Sequence, residues 1–199
     1  HKKGQEVFRS IVKEIWLLGV THLTVWGLSK DNLINRSKLE ISILMEIFEN
    51  TINELFSSEE AEKEKLRVRV AGRWKEFFEK KLVEKINALE KKTAAYDGDK
   101  NLTLLLAYSG DEELAEAVTQ LHRIAPLAKK IMWRDIRNWL WTRFLPDVDI
   151  LIRTGFEPHL SAAALSMQMR DVNLYFPQMH WPDFSIEELA KIIGDFKNR

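Results

Sequence analysis

The residues best suited to bind an anion lie close together in the last quarter of the chain. A predicted strand brings Arg153 to a sheet edge, and Gly155 permits a tight turn after it. His159 and Ser161 follow at the start of a predicted helix, whose free amide groups attract anions. Arginine, histidine, hydroxyl and helix amides together suit a diphosphate. The alternative is a structural Arg153–Glu157 pair with Ser161 as a helix N-cap, and the residues alone leave both open.

A second polar stretch follows a predicted strand, where a phosphate-binding or catalytic loop is expected in an α/β fold. Ser29 and Asn32 can donate and accept hydrogen bonds, and Arg36 can bind an anion. The same residue types are common in loops and as helix caps. For this stretch taken alone, the structural interpretation is the stronger one.

Apolar side chains three and four residues apart predict the helices, and short β-rich apolar runs predict the strands. The predicted helices span 5–18, 37–56, 74–91, 111–122, 129–144, 160–168 and 186–197. The predicted strands span 22–28, 66–71, 102–108, 148–152 and 172–176. Strands that alternate with helices indicate one α/β domain with a mostly parallel central sheet and helices on both faces. Ligands are then expected at the loops after the strands, at 29–36, 108–113 and 153–161.

Composition excludes several kinds of site. The 199 residues contain no cysteine, which removes disulfides, thiolate zinc sites, cysteine nucleophiles and iron–sulfur ligation. Thirty basic residues balance thirty acidic ones, which argues against nucleic-acid binding. The glycine-rich phosphate loops of nucleotide-binding folds do not occur. No apolar run approaches the roughly 18 residues of a membrane span, and no signal peptide is found, so we expect a cytoplasmic protein.

A series of short motifs runs in order through nearly the whole chain. They are His1-Lys-Lys-Gly4, Leu23-Thr-Val-Trp-Gly-Leu-Ser29 with Asp31-Asn32 and Arg36, Glu40-Ile41 with Leu44-Met45, Arg67-Val-Arg-Val-Ala-Gly72, Leu102–Gly110, Asp149-Ile-Leu-Ile-Arg-Thr-Gly155 with Glu157 and Ser161, Leu174-Tyr-Phe and Trp181-Pro-Asp-Phe184. In order and spacing these motifs resemble those of the cis-prenyltransferase family, of the undecaprenyl diphosphate synthase type. The segment from Asp149 to Gly155 is the most specific of them.

The resemblance implies an enzyme that joins isopentenyl diphosphate to an allylic diphosphate and creates a cis double bond. It implies that Mg²⁺ assists departure of the allylic diphosphate. Arg153, Ser161 and His159 would bind isopentenyl diphosphate. Ser29 and Asn32 would lie near the reacting carbons and position substrate or pass the proton.

Further roles are implied for residues around this centre. His1 would lie near the leaving diphosphate, and Arg36 and Glu40 would organise a loop that closes over the site. Apolar residues of the second and third helical segments and of the strand at 102–107 would line a dry tunnel for the growing chain. A homodimer is expected through contacts near Glu157 and the 170s segment. The lipid product suggests transient contact with a membrane.

The sequence departs from the family pattern at several places. The family begins with a strand that ends in Asp-Gly-Asn-x-Arg-Trp and carries the central aspartate, and we expect this strand to precede the numbered residues. His159 stands where a second arginine is usual, and Tyr108-Ser-Gly-Asp111 lacks another cation. The magnesium-binding glutamate of the family falls on Asn173, and we hypothesise that Asp171 substitutes from the same face of an extended strand.

These departures leave two alternatives to catalysis of the family reaction. One is a non-catalytic partner subunit of a cis-prenyltransferase complex, which the missing cations and the missing metal ligand favour. Retention of Ser29, Asn32, Arg153 and Ser161 favours catalysis. The other alternative is a relative that makes a branched or cyclised terpenoid diphosphate.

Overall fold

Helices and strands alternate along most of the chain. The structure, a computed structural model, describes residues 2–124 and 130–199, apart from the side chains of Lys2 and Glu60. The helices are α1 (Lys2–Glu14), α2 (Lys30–Asn35), α3 (Lys38–Ser57), α4 (Glu59–Lys63), α5 (Trp74–Phe77), α6 (Lys80–Ala94), α7 (Gly110–Ile124), α8 (Trp133–Arg137) and α9 (Ile186–Lys197), with 3-10 turns at Ile15–Leu18 and Trp181–Asp183. The strands are β1 (His22–Ser29), β2 (Arg67–Ala71), β3 (Asn101–Tyr108), β4 (Ile150–Ile152) and β5 (Asn173–Tyr175).

All the strand pairs of the described chain are parallel. β3 lies at the centre of a three-stranded sheet with the order β1-β3-β2. His22 and Arg67 both lie opposite Asn101, so the three strands begin level with one another. β4 and β5 form a separate pair with Ile150 opposite Asn173. The predicted α/β domain with parallel strands is confirmed, and the carboxyl ends of the strands in each sheet meet at one edge.

The central strand contributes to two hydrophobic cores because successive side chains of a strand point to opposite faces. One face packs with α3 and α6 in the largest cluster, through Leu102, Leu104 and Leu106. Leu105 belongs to a smaller cluster on the other face that also contains Leu145 and Leu165, and Tyr108 joins this cluster because the backbone at Ala107, with φ of 49°, interrupts the alternation. The second core therefore lies beneath the carboxyl end of β3, next to the expected site.

A third cluster connects the two sheets. Ile11 of α1 and Ile193 of α9 are buried within it. Leu23 of β1 and Ile150 of β4 are half-buried against the same cluster. Because both sheets pack on these side chains, they belong to one folded unit.

Most predicted helices and strands form within two or three residues of their predicted ends. The predicted helix at 37–56 is α3, and the one at 186–197 is α9. Gly19 ends the first helical segment with φ of 79°, the left-handed conformation that glycine adopts without strain. The charged run at 57–65, which we interpreted as a solvated helix end or loop, contains the short helix α4.

The helix predicted at 160–168 is wrong. Residues 161–165 instead form a turn in which Ala162, Ala163 and Leu165 have φ of 45°, 46° and 48°. The left-handed conformation costs a residue with a β-carbon about 1–2 kcal/mol. Contacts with β3, described below, must offset this cost.

Two other predicted helices are shorter than expected. The helix at 74–91 is interrupted because Phe78 adopts an extended conformation that places its buried ring in a stack on Phe48. Of the helix predicted at 129–144, residue 129 lies outside the described residues, and Trp133–Arg137 alone is helical, followed by turns. Within the described ranges, no helix combines the length and the apolar character that a membrane span requires.

Candidate active site

The turn that follows the Arg153 stretch lies at the carboxyl end of the central sheet, where the polar stretch after β1 begins. Ser29, the last residue of β1, lies opposite Tyr108, the last residue of β3. The Tyr108 hydroxyl accepts a hydrogen bond from the Leu165 amide at 3.2 Å. The Gly110 amide donates to the Ala162 carbonyl at 2.9 Å. The turn at 161–165 is therefore docked onto the end of β3, beside the end of β1.

Arg153 is the centre of the polar cluster beside this turn. Its Nη1 donates to the Ser161 hydroxyl at 3.0 Å, and its Nη2 lies 2.9 Å from His159 Nε2. Its Nε donates to the Glu157 carbonyl at 3.3 Å. The Gly155 amide donates a hydrogen bond to the Met179 carbonyl at 2.7 Å. The backbone of Gly155 has φ of 120°, and the turn it makes returns the chain toward Arg153. The structure thus brings the arginine, the histidine and the serine hydroxyl singled out in the sequence into contact with one another.

The structural alternative for this cluster does not form. Arg153 contacts the main chain of Glu157, and no carboxylate of the described chain pairs with its guanidinium. Ser161 begins a left-handed turn and is not a helix N-cap, so the helix amides expected there are absent too. The half-buried guanidinium thus carries an uncompensated positive charge, which is a suitable site for an anion.

The stretch after β1 is a short helix rather than the expected loop. Ser29 caps α2, since its hydroxyl accepts the Asn32 amide hydrogen at 3.0 Å. The Asn32 side chain is half-buried, and its carboxamide group, unlike its main-chain amide, has no hydrogen-bond partner among the described residues. Ser29 therefore has a structural role already, whereas Asn32 presents a donor and an acceptor that nothing else uses.

Glu40 connects the end of this stretch to α3. Its carboxylate accepts from the amide and the hydroxyl of Ser37 at 3.0 and 2.7 Å, and Ser37 caps the helix in return. The hydroxyl bond, the amide bond and the charge of Arg36 lower the pKa of Glu40. Arg36 itself is exposed. It is the C-cap of α2, and its main-chain amide donates to the Asn32 carbonyl. Both residues thus lie at the junction between α2 and α3.

A family model described as a putative undecaprenyl diphosphate synthase matches residues 1–199. The chain belongs to this cis-prenyltransferase family. An isoprenyl transferase of Thermotoga maritima is 33% identical over 203 residues, which cover 100% of this chain and 84% of the relative. A tritrans,polycis-undecaprenyl-diphosphate synthase (geranylgeranyl-diphosphate specific) of Thermococcus kodakarensis is 32% identical over 204 residues, which cover 100% of this chain and 75% of the relative.

Solved structures agree with the assignment to the cis-prenyltransferases. Lavandulyl diphosphate synthase from Lavandula x intermedia, solved in complex with dimethylallyl diphosphate, superposes with a TM-score of 0.88 at 28% identity over 100% of this chain and 85% of that one. A probable undecaprenyl diphosphate synthase from Campylobacter jejuni shares the fold, with a TM-score of 0.82 at 24% identity over 100% of this chain and 90% of that one. The comparisons confirm the expected polyprenyl diphosphate synthase activity and favour neither alternative.

The described residues do not fit the magnesium ion that a cis-prenyltransferase implies. Asn173 Oδ1 accepts from the Arg199 guanidinium at 3.0 Å, and its Nδ2 donates to the Asp149 carbonyl at 3.3 Å. Asp171 lies in the turn before β5, so the expected shared strand face with Asn173 is wrong. Within the described ranges, no three acidic or histidine side chains are grouped as metal ligands. His1, the remaining predicted site residue, lies outside the described residues.

Two groups of side chains at this edge were not predicted. Glu112 forms ion pairs with Lys30, after β1, and with Arg73, after β2, the latter at 2.9 Å. Since Glu112 follows β3, these ion pairs connect the ends of all three strands. The sequence signal that could have pointed to Glu112 is the capping-box pattern Ser109-Gly-Asp-Glu112. The structure forms one half of this capping box, a 3.4 Å hydrogen bond from the Glu112 amide to the Ser109 hydroxyl. The second group surrounds the buried carboxylate of Glu113 and is described below.

Proposed function

We propose that this cis-prenyltransferase binds isopentenyl diphosphate at the Arg153–His159–Ser161 cluster. The observation that carries the proposal is the Arg153 guanidinium, which bonds to a carbonyl, a hydroxyl and an imidazole but to no carboxylate among the described residues. A diphosphate would accept hydrogen bonds from its fork and from the Ser161 hydroxyl. His159 is exposed and lies 2.9 Å from Arg153, so its ring would contact the same anion from the solvent side.

The reaction follows from the two diphosphate substrates. The allylic carbon–oxygen bond breaks, the departing diphosphate takes the electron pair, and the terminal alkene carbon of isopentenyl diphosphate forms the new carbon–carbon bond. Bond formation leaves the positive charge on C3 of the isopentenyl group, and loss of a proton from C2 then forms the new C2–C3 double bond in the cis geometry. We assign Asn32 to the reacting centre because its free amide can orient the isopentenyl group or relay that proton. Dependence on Mg²⁺ stays a prediction from the resemblance, and no step is derived through the ion.

The growing chain is proposed to run along α3, between that helix and the central sheet. The backbone at Gly27 is exposed, yet a β-carbon there would lie 2.8 Å from Leu106 and 3.0 Å from Phe48. Phe48 in turn stacks on Phe78 with ring centroids 6.2 Å apart. Glycine therefore lets Leu106 and Phe48 pack closely against β1, and these apolar side chains would line the proposed channel.

A strand additional to the described ones is proposed to lie between the two sheets. Among the described residues, β1 is bonded on the β3 side alone, and β4 on the β5 side alone. Exposed edges of this kind invite pairing with another strand. An extended segment pairing with both would place the expected aspartate at the same carboxyl edge. Hydrogen exchange on a chain extended at its amino end tests this, since the amides of β1 that face away from β3 should become protected.

A homodimer that uses the surface around Glu157 and β5 is also proposed. Phe156, Leu160 and Leu174 are 57%, 48% and 45% exposed there. We expect a second copy of the chain to cover these exposed apolar side chains. Sedimentation equilibrium tests the proposal, since a strict monomer would contradict it.

Cosedimentation with anionic vesicles in the presence of product tests the expected transient contact with a membrane.

The decisive experiment is an incubation with labelled isopentenyl diphosphate, Mg²⁺ and a panel of allylic primers that includes geranylgeranyl diphosphate. Products are separated by chain length, and the geometry of their double bonds is determined by NMR. We expect cis-extended polyprenyl diphosphates. Absence of incorporation with every primer would support a non-catalytic subunit, and branched or cyclic products would support the other alternative.

A further inference from the structure

Tyr108 lies at the end of the central strand and is completely buried. Trp26 and Trp141 contact its ring edge-on, with centroids 6.1 and 6.2 Å away. Its hydroxyl donates to Glu113 Oε2 at 2.5 Å and accepts from the Leu165 amide at 3.2 Å. Burial and the neighbouring carboxylate raise the pKa of Tyr108, so the hydroxyl keeps its proton.

Glu113 fixes the direction of that hydroxyl. The carboxylate is 2% exposed, and its Oε1 accepts from both the amide and the hydroxyl of Thr142 at 2.7 Å. Gln168 donates to the Thr142 hydroxyl at 2.7 Å. Because the Tyr108 hydroxyl donates its hydrogen bond to Glu113, a lone pair of the phenol oxygen is directed at the Leu165 amide. The network thus connects β3, α7 and two turns.

The turn held by this network bears a proposed substrate ligand. Ser161 is its first residue, and Arg153 bonds to the Ser161 hydroxyl. Three residues of the turn have left-handed backbone conformations without being glycine, so the turn depends on outside contacts to keep its shape. The hydrogen bond from Leu165 to Tyr108 is the side-chain contact that anchors its far end.

We infer that Tyr108, oriented by Glu113, is a positioning residue that holds the turn at 161–165 so that Ser161 and Arg153 face isopentenyl diphosphate together. The inference rests on the proposed binding of that diphosphate by Arg153 and Ser161. Tyr108 acts through the turn and has no contact with substrate. Its loss should therefore affect binding of isopentenyl diphosphate and leave binding of the allylic primer unchanged.

The test compares Tyr108→Phe, Glu113→Gln and the wild-type enzyme. Phenylalanine keeps the ring between the two tryptophans and removes only the hydroxyl. The carbonyl oxygen of glutamine still accepts from Thr142, but its NH2 group would face Tyr108 and cannot accept the hydrogen bond of the phenol. The hydroxyl itself remains to bond with Leu165, so the effect should be smaller than that of Tyr108→Phe. Tyr96→Phe is the matched control, because Tyr96 lies before β3, at the opposite end of the sheet, and its hydroxyl has no partner among the described residues.

Steady-state kinetics and calorimetric titration with isopentenyl diphosphate provide the readout. We expect Tyr108→Phe to raise the KM and Kd for isopentenyl diphosphate about tenfold, the size expected for one or two buried hydrogen bonds. The KM for the primer and kcat should stay within about twofold. If both KM values are unchanged while the melting temperature falls, the residue is merely structural and the inference is wrong. Wild-type enzyme that neither binds nor incorporates isopentenyl diphosphate would overturn the proposed function, and this inference with it.

Discussion

The main chain at Gly110 approaches the carbonyl oxygen of Ala163 so closely that a β-carbon at position 110 would come within 1.9 Å of it. Gly110 is the first residue of α7, and Ala163 is at the middle of the left-handed turn. The absence of a side chain at one position therefore sets how closely the turn packs against the end of β3. This contact leads to the first prediction.

Gly110→Ala should push the turn at 161–165 away from β3. We expect the KM for isopentenyl diphosphate to rise about tenfold or more, with a loss of about 1–3 kcal/mol in stability from overpacking. Gly194→Ala is the control, since a β-carbon there meets nothing within 4 Å. That variant should gain up to about 1 kcal/mol from the helix propensity of alanine, with unchanged kinetics. An unchanged KM in a stable Gly110→Ala enzyme would contradict the proposed site.

Arg153 should contribute through its planar fork as well as its charge. Arg153→Lys keeps the charge and loses the bidentate geometry, so we expect the KM for isopentenyl diphosphate to rise about tenfold. Arg153→Ala should raise it about 100-fold, as expected for loss of charge-assisted hydrogen bonds. Arg123→Ala, an exposed cation in the last turn of α7, serves as control. Equal KM values for wild type and Arg153→Ala would exclude the assignment.

Asn32 should affect turnover more than binding. Asn32→Ala removes an amide that has no structural partner and raises helix propensity, so the fold should not lose stability. We expect kcat to fall about 100-fold while both KM values change little. Asn35→Ala, an exposed position at the end of α2, should retain activity. A change in KM without a change in kcat would argue against a role at the reacting carbons.

Glu90 should make the fold less stable as the pH rises. Burial raises the pKa of this carboxyl, although the Val70 amide donates to it at 2.9 Å. The raised pKa means that the folded state favours the protonated form of Glu90. The stabilisation that the protonated Glu90 provides is complete below the ordinary glutamate pKa of 4.5. It is lost as the pH rises through the higher pKa of the folded state. Glu90→Gln should therefore raise the melting temperature by about 2 °C at pH 7 and by less at pH 4. Glu84→Gln, an exposed position of the same helix, is the control.

Phe48 should limit product length if the chain elongates along α3. Phe48→Ala removes a ring beside Gly27 and should yield products longer by at least one isoprenoid unit, at a cost in stability of about 3 kcal/mol. Gly27→Ala adds a methyl group against Leu106 and Phe48, and it should shorten the products by displacing these side chains into the proposed channel. Phe56→Ala changes an exposed ring on the same helix and should leave the product distribution unaltered. Chromatography of the dephosphorylated products distinguishes these outcomes.

The helices and strands that were predicted well are those determined by interactions between residues near in the chain. Apolar side chains three and four residues apart predicted α3 and α9 as amphipathic helices, and the structure contains both close to the predicted bounds. The Arg153 cluster was also predictable, since its members lie within eight residues of one another in the chain. The turn at 161–165 was not, because Ala162 and its neighbours have high helix propensity and distant contacts override it.

The buried network could not be found from the sequence either. Glu113 and Thr142 are 29 residues apart, and a glutamate in the first turn of a helix is usually a solvated partner of the helix dipole. Asp171 was assigned to a strand face that begins two residues later, at Asn173. Asp171 lies outside the strand, so the alternation of strand faces does not fix the direction of its side chain, and a boundary error of two residues is enough to remove a predicted metal ligand.

The strand order β1-β3-β2 also determines when the sheet can assemble during synthesis. Among the described strands, the two outer ones do not pair with each other, so β2 has no backbone partner, and β1 none on its β3 side, until the segment up to Tyr108 has left the ribosome. At ordinary rates of translation this is a wait of several seconds, during which these apolar strand edges are exposed to chaperones and to other nascent chains.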